Sequence, residues 1–163
     1  MRVWIIVLAL LLSACGFHLR GSYALPFDTL SISSPVNAEL RALLKRQIEI
    51  GTKAKVVDEG APAQASLRIL GDTSEKRILS LSAAGRVSEY QLARALRFRV
   101  VDAGDNELLP PSTITLIREM TFDDAAVLSK DTEEVLLWRD IQNDLVQQLL
   151  RRLAAIKPKP TSP

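Results

Sequence analysis

The hydrophobic pattern changes character several times along the chain. It opens on an unbroken apolar run, Val3 to Leu12, and no later run matches that length. From Asp28 to Ser33 apolar and polar residues alternate, Leu30 and Ile32 against Thr29, Ser31 and Ser33, which is the period of a half-buried strand. Leu40, Leu43, Leu44 and Ile48 then recur at helical spacing, with Glu39, Arg41, Lys45 and Arg46 on the other face. Ser34-Pro35 predicts the start of this helix, as N-cap and first-turn proline, and Gly51 predicts its end. Ala54, Val56 and Val57 within Lys53 to Asp58 predict a short second strand, followed by a turn over Glu59 to Gln64.

Beyond Ala65 the chain is rich in strand pattern. Leu67 and Ile69 lead into Ile78, Leu79 and Leu81, with Gly71 marking a bulge or a break. Ser82-Ala83-Ala84-Gly85 reads as a hairpin tip. The return strand places Tyr90, Leu92, Leu96, Phe98 and Val100 on one face and Glu89, Gln91, Arg97 and Arg99 on the other. Arg94 interrupts the apolar face: either it snorkels past the sheet edge or it pairs with an acid such as Asp140 or Glu134. A turn at Asp102 to Asn106 follows, Pro110-Pro111 delays the next strand, and Ile114, Leu116, Met120 and Phe122 alternate through Thr113 to Phe122.

The last segment is a long helix. Asp131 with Glu134 resembles a capping box, and Val135, Trp138, Ile141, Leu145, Leu149, Leu153 and Ile156 form one stripe at spacings of three and four. Asp140, Asp144, Gln147 and Arg151 lie opposite, Arg151, Arg152 and Lys157 suit the C-terminal end of the dipole, and Pro158 stops the helix. Each helix is apolar along one stripe and the sheet on one face. The economical fold class is therefore α+β, with two helices packed on one face of a mixed, mainly antiparallel sheet.

The opening run follows a single positive charge at Arg2 and closes on Leu12-Ser13-Ala14-Cys15, the order of a bacterial lipobox. It is shorter than the roughly 20 apolar residues that a membrane-spanning helix needs. The expectation is a signal peptide over 1–14, cleavage before Cys15 and acylation of that residue. Cys15 is the only cysteine, and lipidation accounts for an unpaired thiol in an exported protein. Residues 15–26 read as a lipidated tether, 27–157 as a single domain and 158–163 as a disordered tail. By analogy with lipoprotein sorting, Gly16 after the cysteine favours the outer membrane.

Composition narrows the choice of chemistry. Without Arg2 the chain carries 20 Lys and Arg against 19 Asp and Glu, so it lacks the basic surplus of a general nucleic-acid binder. Its one histidine, His18, stands beside the anchor with neither a nucleophile nor an orienting partner. No histidine cluster and no glycine-rich phosphate loop occurs. No enzyme activity, metal or cofactor is expected other than the lipid on Cys15.

Three segments carry a family resemblance. Cys15-Gly16-Phe17-His18-Leu19-Arg20-Gly21 directly follows the lipobox, Gly85-Arg86 precedes Glu89-Tyr90-Gln91-Leu92 at the hairpin, and Ser129-Lys130-Asp131 precedes the last helix. Together they resemble the LPS-assembly lipoprotein family LptE. The resemblance implies two helices on a mixed, roughly four-stranded sheet, a lipoprotein on the periplasmic side of the outer membrane, and residence inside the LptD β-barrel. It also implies lipopolysaccharide (LPS) as ligand, with Arg86 and Lys130 as contacts to its phosphates; a guanidinium suits phosphate through paired, charge-assisted hydrogen bonds. The alternative is a scaffold lipoprotein of another outer-membrane machine with no ligand of its own. Trp138 and Leu145 are expected in the core.

Overall fold

The computed structural model describes residues 23–33 and 37–157. The leader 1–14, the lipidation site Cys15, His18, Ser34-Pro35 and the tail 158–163 lie outside the described residues. The elements run β1 (Thr29–Ser33), α1 (Ala38–Gly51), β2 (Lys55–Val57), β3 (Ala65–Leu81), β4 (Val87–Asp102), β5 (Glu107–Thr121), a 3-10 turn (Asp124–Ala126) and α2 (Val127–Ala154). The strands form one sheet in the order β2-β1-β3-β4-β5. β1 is parallel to both β2 and β3, whereas β3, β4 and β5 form an antiparallel meander. The fold class is as expected, with five strands where the resemblance implied roughly four.

The two helices cover the same face. Leu30, Ile32, Leu67, Leu96, Phe98 and Ile114 from the sheet are fully buried against Leu40, Leu44 and Ile48 of α1 and Ile141, Leu145, Leu149 and Leu153 of α2. Each such side chain contributes about 1.5–3 kcal/mol through burial. Among the described residues no helix lies on the other face. The β2–β3 loop lies over that face near Ser31, and Gln64 fastens it: its Oε1 accepts from Asp28 N (2.6 Å) and its N donates to Thr29 Oγ1 (3.0 Å).

Several boundaries differ from the sequence expectation. Helix α1 is capped by Asn37, whose Oδ1 accepts from Leu40 N at 2.7 Å, rather than by Ser34. Its other end falls at Gly51 as expected, with Thr52 as the cap, whose Oγ1 donates to Ile48 O at 2.7 Å. Strand β5 begins at Glu107, so Pro110-Pro111 lie within it. This is compatible with an edge strand, where no donor is needed on the outer side. The register confirms a bulge there, because Phe98 faces Ser112 while Val100 faces Leu109. Gly71 does follow a bulge, at Leu70. Helix α2 starts at Val127, four residues before the expected box. Asp123 caps the preceding 3-10 turn through Ala125 N (2.9 Å), so Asp131 and Glu134 lie inside the helix. Val135 is 58% exposed, and Val146 and Leu150 fill the stripe instead. Tyr23 and Leu25 pack on the core, with Tyr23 N donating to Gly51 O at 2.8 Å.

Candidate functional site: the hairpin end of the sheet

The β3–β4 hairpin turns through Ala83-Ala84-Gly85. Ser82 N donates to Arg86 O (2.7 Å), Gly85 N donates to Ser82 O (2.9 Å), and Gly85 takes φ +73°. A three-residue loop closing in the left-handed region favours glycine there. It leaves Arg86 just before the return strand, with its side chain 72% exposed. Asp124 Oδ2 stands 3.8 Å from Arg86 Nη1, too far for a hydrogen bond, and such an exposed pair contributes only about 0–1 kcal/mol. The guanidinium fork therefore remains available to a ligand.

The end of β5 brings the start of α2 to the same place. Thr121 faces Glu89 across the sheet and Phe122 N donates to Ser88 O at 2.8 Å, so the 3-10 turn lies against the hairpin. Lys130, on the first turn of α2, reaches back to Thr121 Oγ1 (3.0 Å) and donates to Glu133 Oε2 (2.8 Å), with its side chain 17% exposed. Arg86 and Lys130 thus share one end of the sheet. Arg86 is presented and Lys130 is held. Ser82, Arg86, Ser88, Phe122 and Asp124 line a shallow depression beside Arg86. Tyr90 and Phe122 meet edge to face at 5.2 Å, and Lys76 sits 4.2 Å over the Tyr90 ring while pairing with Glu134. The acids Asp124 and Glu133 escaped the sequence reading, and Glu134, expected as a capping-box residue or a partner of Arg94, pairs with Lys76 instead. Asp123-Asp124 ahead of a helix was a capping signal that pointed to the earlier start.

Arg94 is buried, but neither Asp140 nor Glu134 holds it. Its Nε and Nη2 donate to both carboxylate oxygens of Asp72 (2.9 and 2.8 Å) and its Nη1 to Gln142 Oε1 (3.2 Å). Gln142 Nε2 donates on to Glu39 of α1 at 3.3 Å. The group is a structural tie between strands and helices. Among the described residues no three His, Cys, Asp or Glu side chains gather in metal-binding geometry, and no helix is long and apolar enough to cross a membrane.

An open-faced α+β domain, two helices on one side of a five-stranded mixed sheet and an exposed arginine at its longest hairpin, is the class that fold and site define. The same fold occurs in the solution structure of lipoprotein B from Nitrosomonas europaea, 40% identical over 86% of this chain and 91% of that one, with a TM-score of 0.76. It recurs in rare lipoprotein B from Shewanella oneidensis, 29% identical over 78% and 94%, with a TM-score of 0.66. The LPS-assembly lipoprotein LptE of Pectobacterium atrosepticum is 30% identical over 91% of this chain and 82% of its own length. The family model for LptE, lipopolysaccharide-assembly, matches residues 27–153. The chain belongs to the LptE family.

Proposed function

We propose that this protein is an outer-membrane lipoprotein, anchored by lipid on Cys15, that plugs the LptD β-barrel, helps assemble it and binds LPS through Arg86 and Lys130. It acts without catalysis. The observation that carries the reading is the meeting of hairpin tip and helix start, which sets two cations at one end of the sheet in a chain of this family. Arg86 makes the first contact with a phosphate, and Lys130 adds a second point charge once it leaves Glu133. The uncovered sheet face, with Glu89, Gln91, Arg97 and Arg99, suits the wet lumen of a barrel.

The test reverses the two charges. In the Arg86→Asp/Lys130→Asp protein, LPS affinity falls at least tenfold while LptD is still recovered through a C-terminal tag. Unchanged LPS affinity removes the site. Recovery of other envelope proteins in place of LptD favours the scaffold alternative.

A further inference from the structure

The bare face of the sheet carries a second cationic cluster, far from the hairpin tip. Arg68 of β3 and Arg99 of β4 are register partners, directly opposite each other, and Arg97 stands two positions along on the same face. Like charges set opposite on a sheet repel. Arg97 faces Gly71 on one side and Thr113 on the other, and over Gly71 nothing lies within 4 Å of where a side chain would begin. Ser33 borders Arg68 on the β1 side. The result is a notch floored by small residues and edged by three guanidinium groups.

Two acids partly answer this charge. Asp105 pairs with Arg68, and Glu107 Oε1 stands 4.0 Å from Arg99 Nη1. The carboxylates come from the β4–β5 turn and the first residue of β5, and they are 66% and 49% exposed. Arg99 Nε is nonetheless buried with no acceptor. A buried donor without a partner is costly, and here the donor belongs to the group at the centre of the cluster. The Pro110-Pro111 bulge opposite Arg99 removes the regular strand partner from that edge.

We propose that Arg68, Arg97 and Arg99 form a second binding surface for phosphate groups carried on a saccharide. Guanidinium forks bind phosphate oxygens in pairs, and the surrounding hydroxyls of Ser33, Ser66, Thr113 and Thr115 suit sugar hydroxyls. A dry protein interface fits less well, whereas a wet barrel lumen leaves these guanidinium groups open to a polar ligand. Interface centres are rich in aromatic and apolar anchors, and no aromatic residue stands on this face of β3, β4 or β5. The identity of the ligand as the sugar part of LPS rests on the function proposed above, whereas the anion-binding surface itself does not.

The experiment uses the full chain in a neutral polyoxyethylene detergent. The probe is fully deacylated LPS, a water-soluble oligosaccharide that keeps its phosphates, titrated by calorimetry at low salt and compared with the same material after dephosphorylation. The Arg97→Gln/Arg99→Gln protein is expected to bind the phosphorylated probe at least tenfold more weakly than wild type. An Arg46→Gln/Arg139→Gln protein, which loses the same net charge at exposed sites on the helices, is expected to bind within twofold of wild type. The dephosphorylated probe is expected not to bind. Equal weakening in both variants would reduce the effect to net charge and overturn the proposal. So would wild-type protein that ignores the probe, or a double variant that keeps probe affinity but no longer recovers LptD. The titration is run in the Arg86→Asp/Lys130→Asp background as well, so that the hairpin site contributes nothing there, and this result and the charge-reversal result with intact LPS can fail independently.

Discussion

Removing one half of the Arg94–Asp72 pair tests whether the buried tie holds the domain together. The Arg94 side chain is 7% exposed and that of Asp72 14%, and two hydrogen bonds join them at 2.8–2.9 Å. Asp72→Leu leaves a guanidinium buried beside Leu92 and Leu96 with only Gln142 as acceptor. Breaking one side of such a pair costs about 3–5 kcal/mol, and the slight exposure of this site sets the expected loss at about 3 kcal/mol. Arg94→Met strands the acid instead, and Asp72 lies closer to water, so about 2 kcal/mol is expected. The double variant replaces both charges by apolar groups, which is often neutral or better than neutral. It should lie within about 2 kcal/mol of wild type, a coupling of at least about 3 kcal/mol. Urea unfolding followed by Trp138 fluorescence and far-UV circular dichroism measures all three, and the Asp72→Leu melting temperature should fall by about 10 °C. Single losses under about 1 kcal/mol that simply add would refute the reasoning.

Two further predictions concern the turns and the core. Gly85→Ala, at φ +73°, should cost about 1 kcal/mol in thermal unfolding, while Asp105→Gly, at φ +63° in the same type of loop, should be neutral or slightly stabilising despite losing the exposed pair with Arg68. Leu145→Ala, at a fully buried position, should cost about 3 kcal/mol by urea unfolding, while Val135→Ala, at 58% exposure, should cost under about 0.5 kcal/mol.

The alternating strands, the bulge at Gly71, the hairpin tip and the apolar stripes of both helices were legible because each is local: period and turn chemistry operate within a few residues. What failed was competition between caps and long-range register. Ser34, Asn37, Asp123 and Asp131 all qualify as N-caps by residue type, and packing of the helix face decides among them. Pro110-Pro111 read as a delay because a proline pair breaks a central strand, yet β5 lies at an edge, and strand order cannot be read from pattern. The partner of Arg94 is Asp72, 22 residues away, and the two meet because the bulge at Leu70 sets the β3–β4 register. The co-location of Arg86 and Lys130 depends on the same register, since only equal reach of the hairpin and of β5 brings Thr121 level with Glu89.

The two halves of α2 are held by different physics, and this bears on how the hairpin end is positioned. From Ile141 onward the helix buries a continuous apolar stripe, whereas among its first fourteen residues Leu128, Val135 and Leu136 are 55–85% exposed. That first half packs on the core only through Leu137 and Trp138 and adds polar ties: Glu134 to Lys76, with Gln142 to Arg94 and Asp144 to Arg118 (3.3 Å) just beyond. Apolar burial is non-directional and permits a helix to slide or roll over a sheet. A hydrogen-bonded charge pair has a required geometry, and fixing register is the best-attested use of a buried one. Lys130 lies one turn before Glu134, so loosening these ties would move it relative to Arg86 without unfolding the core. The position of one cation against the other is therefore set from mid-sheet, by Arg94 and Lys76, and not only by the residues that surround the tip.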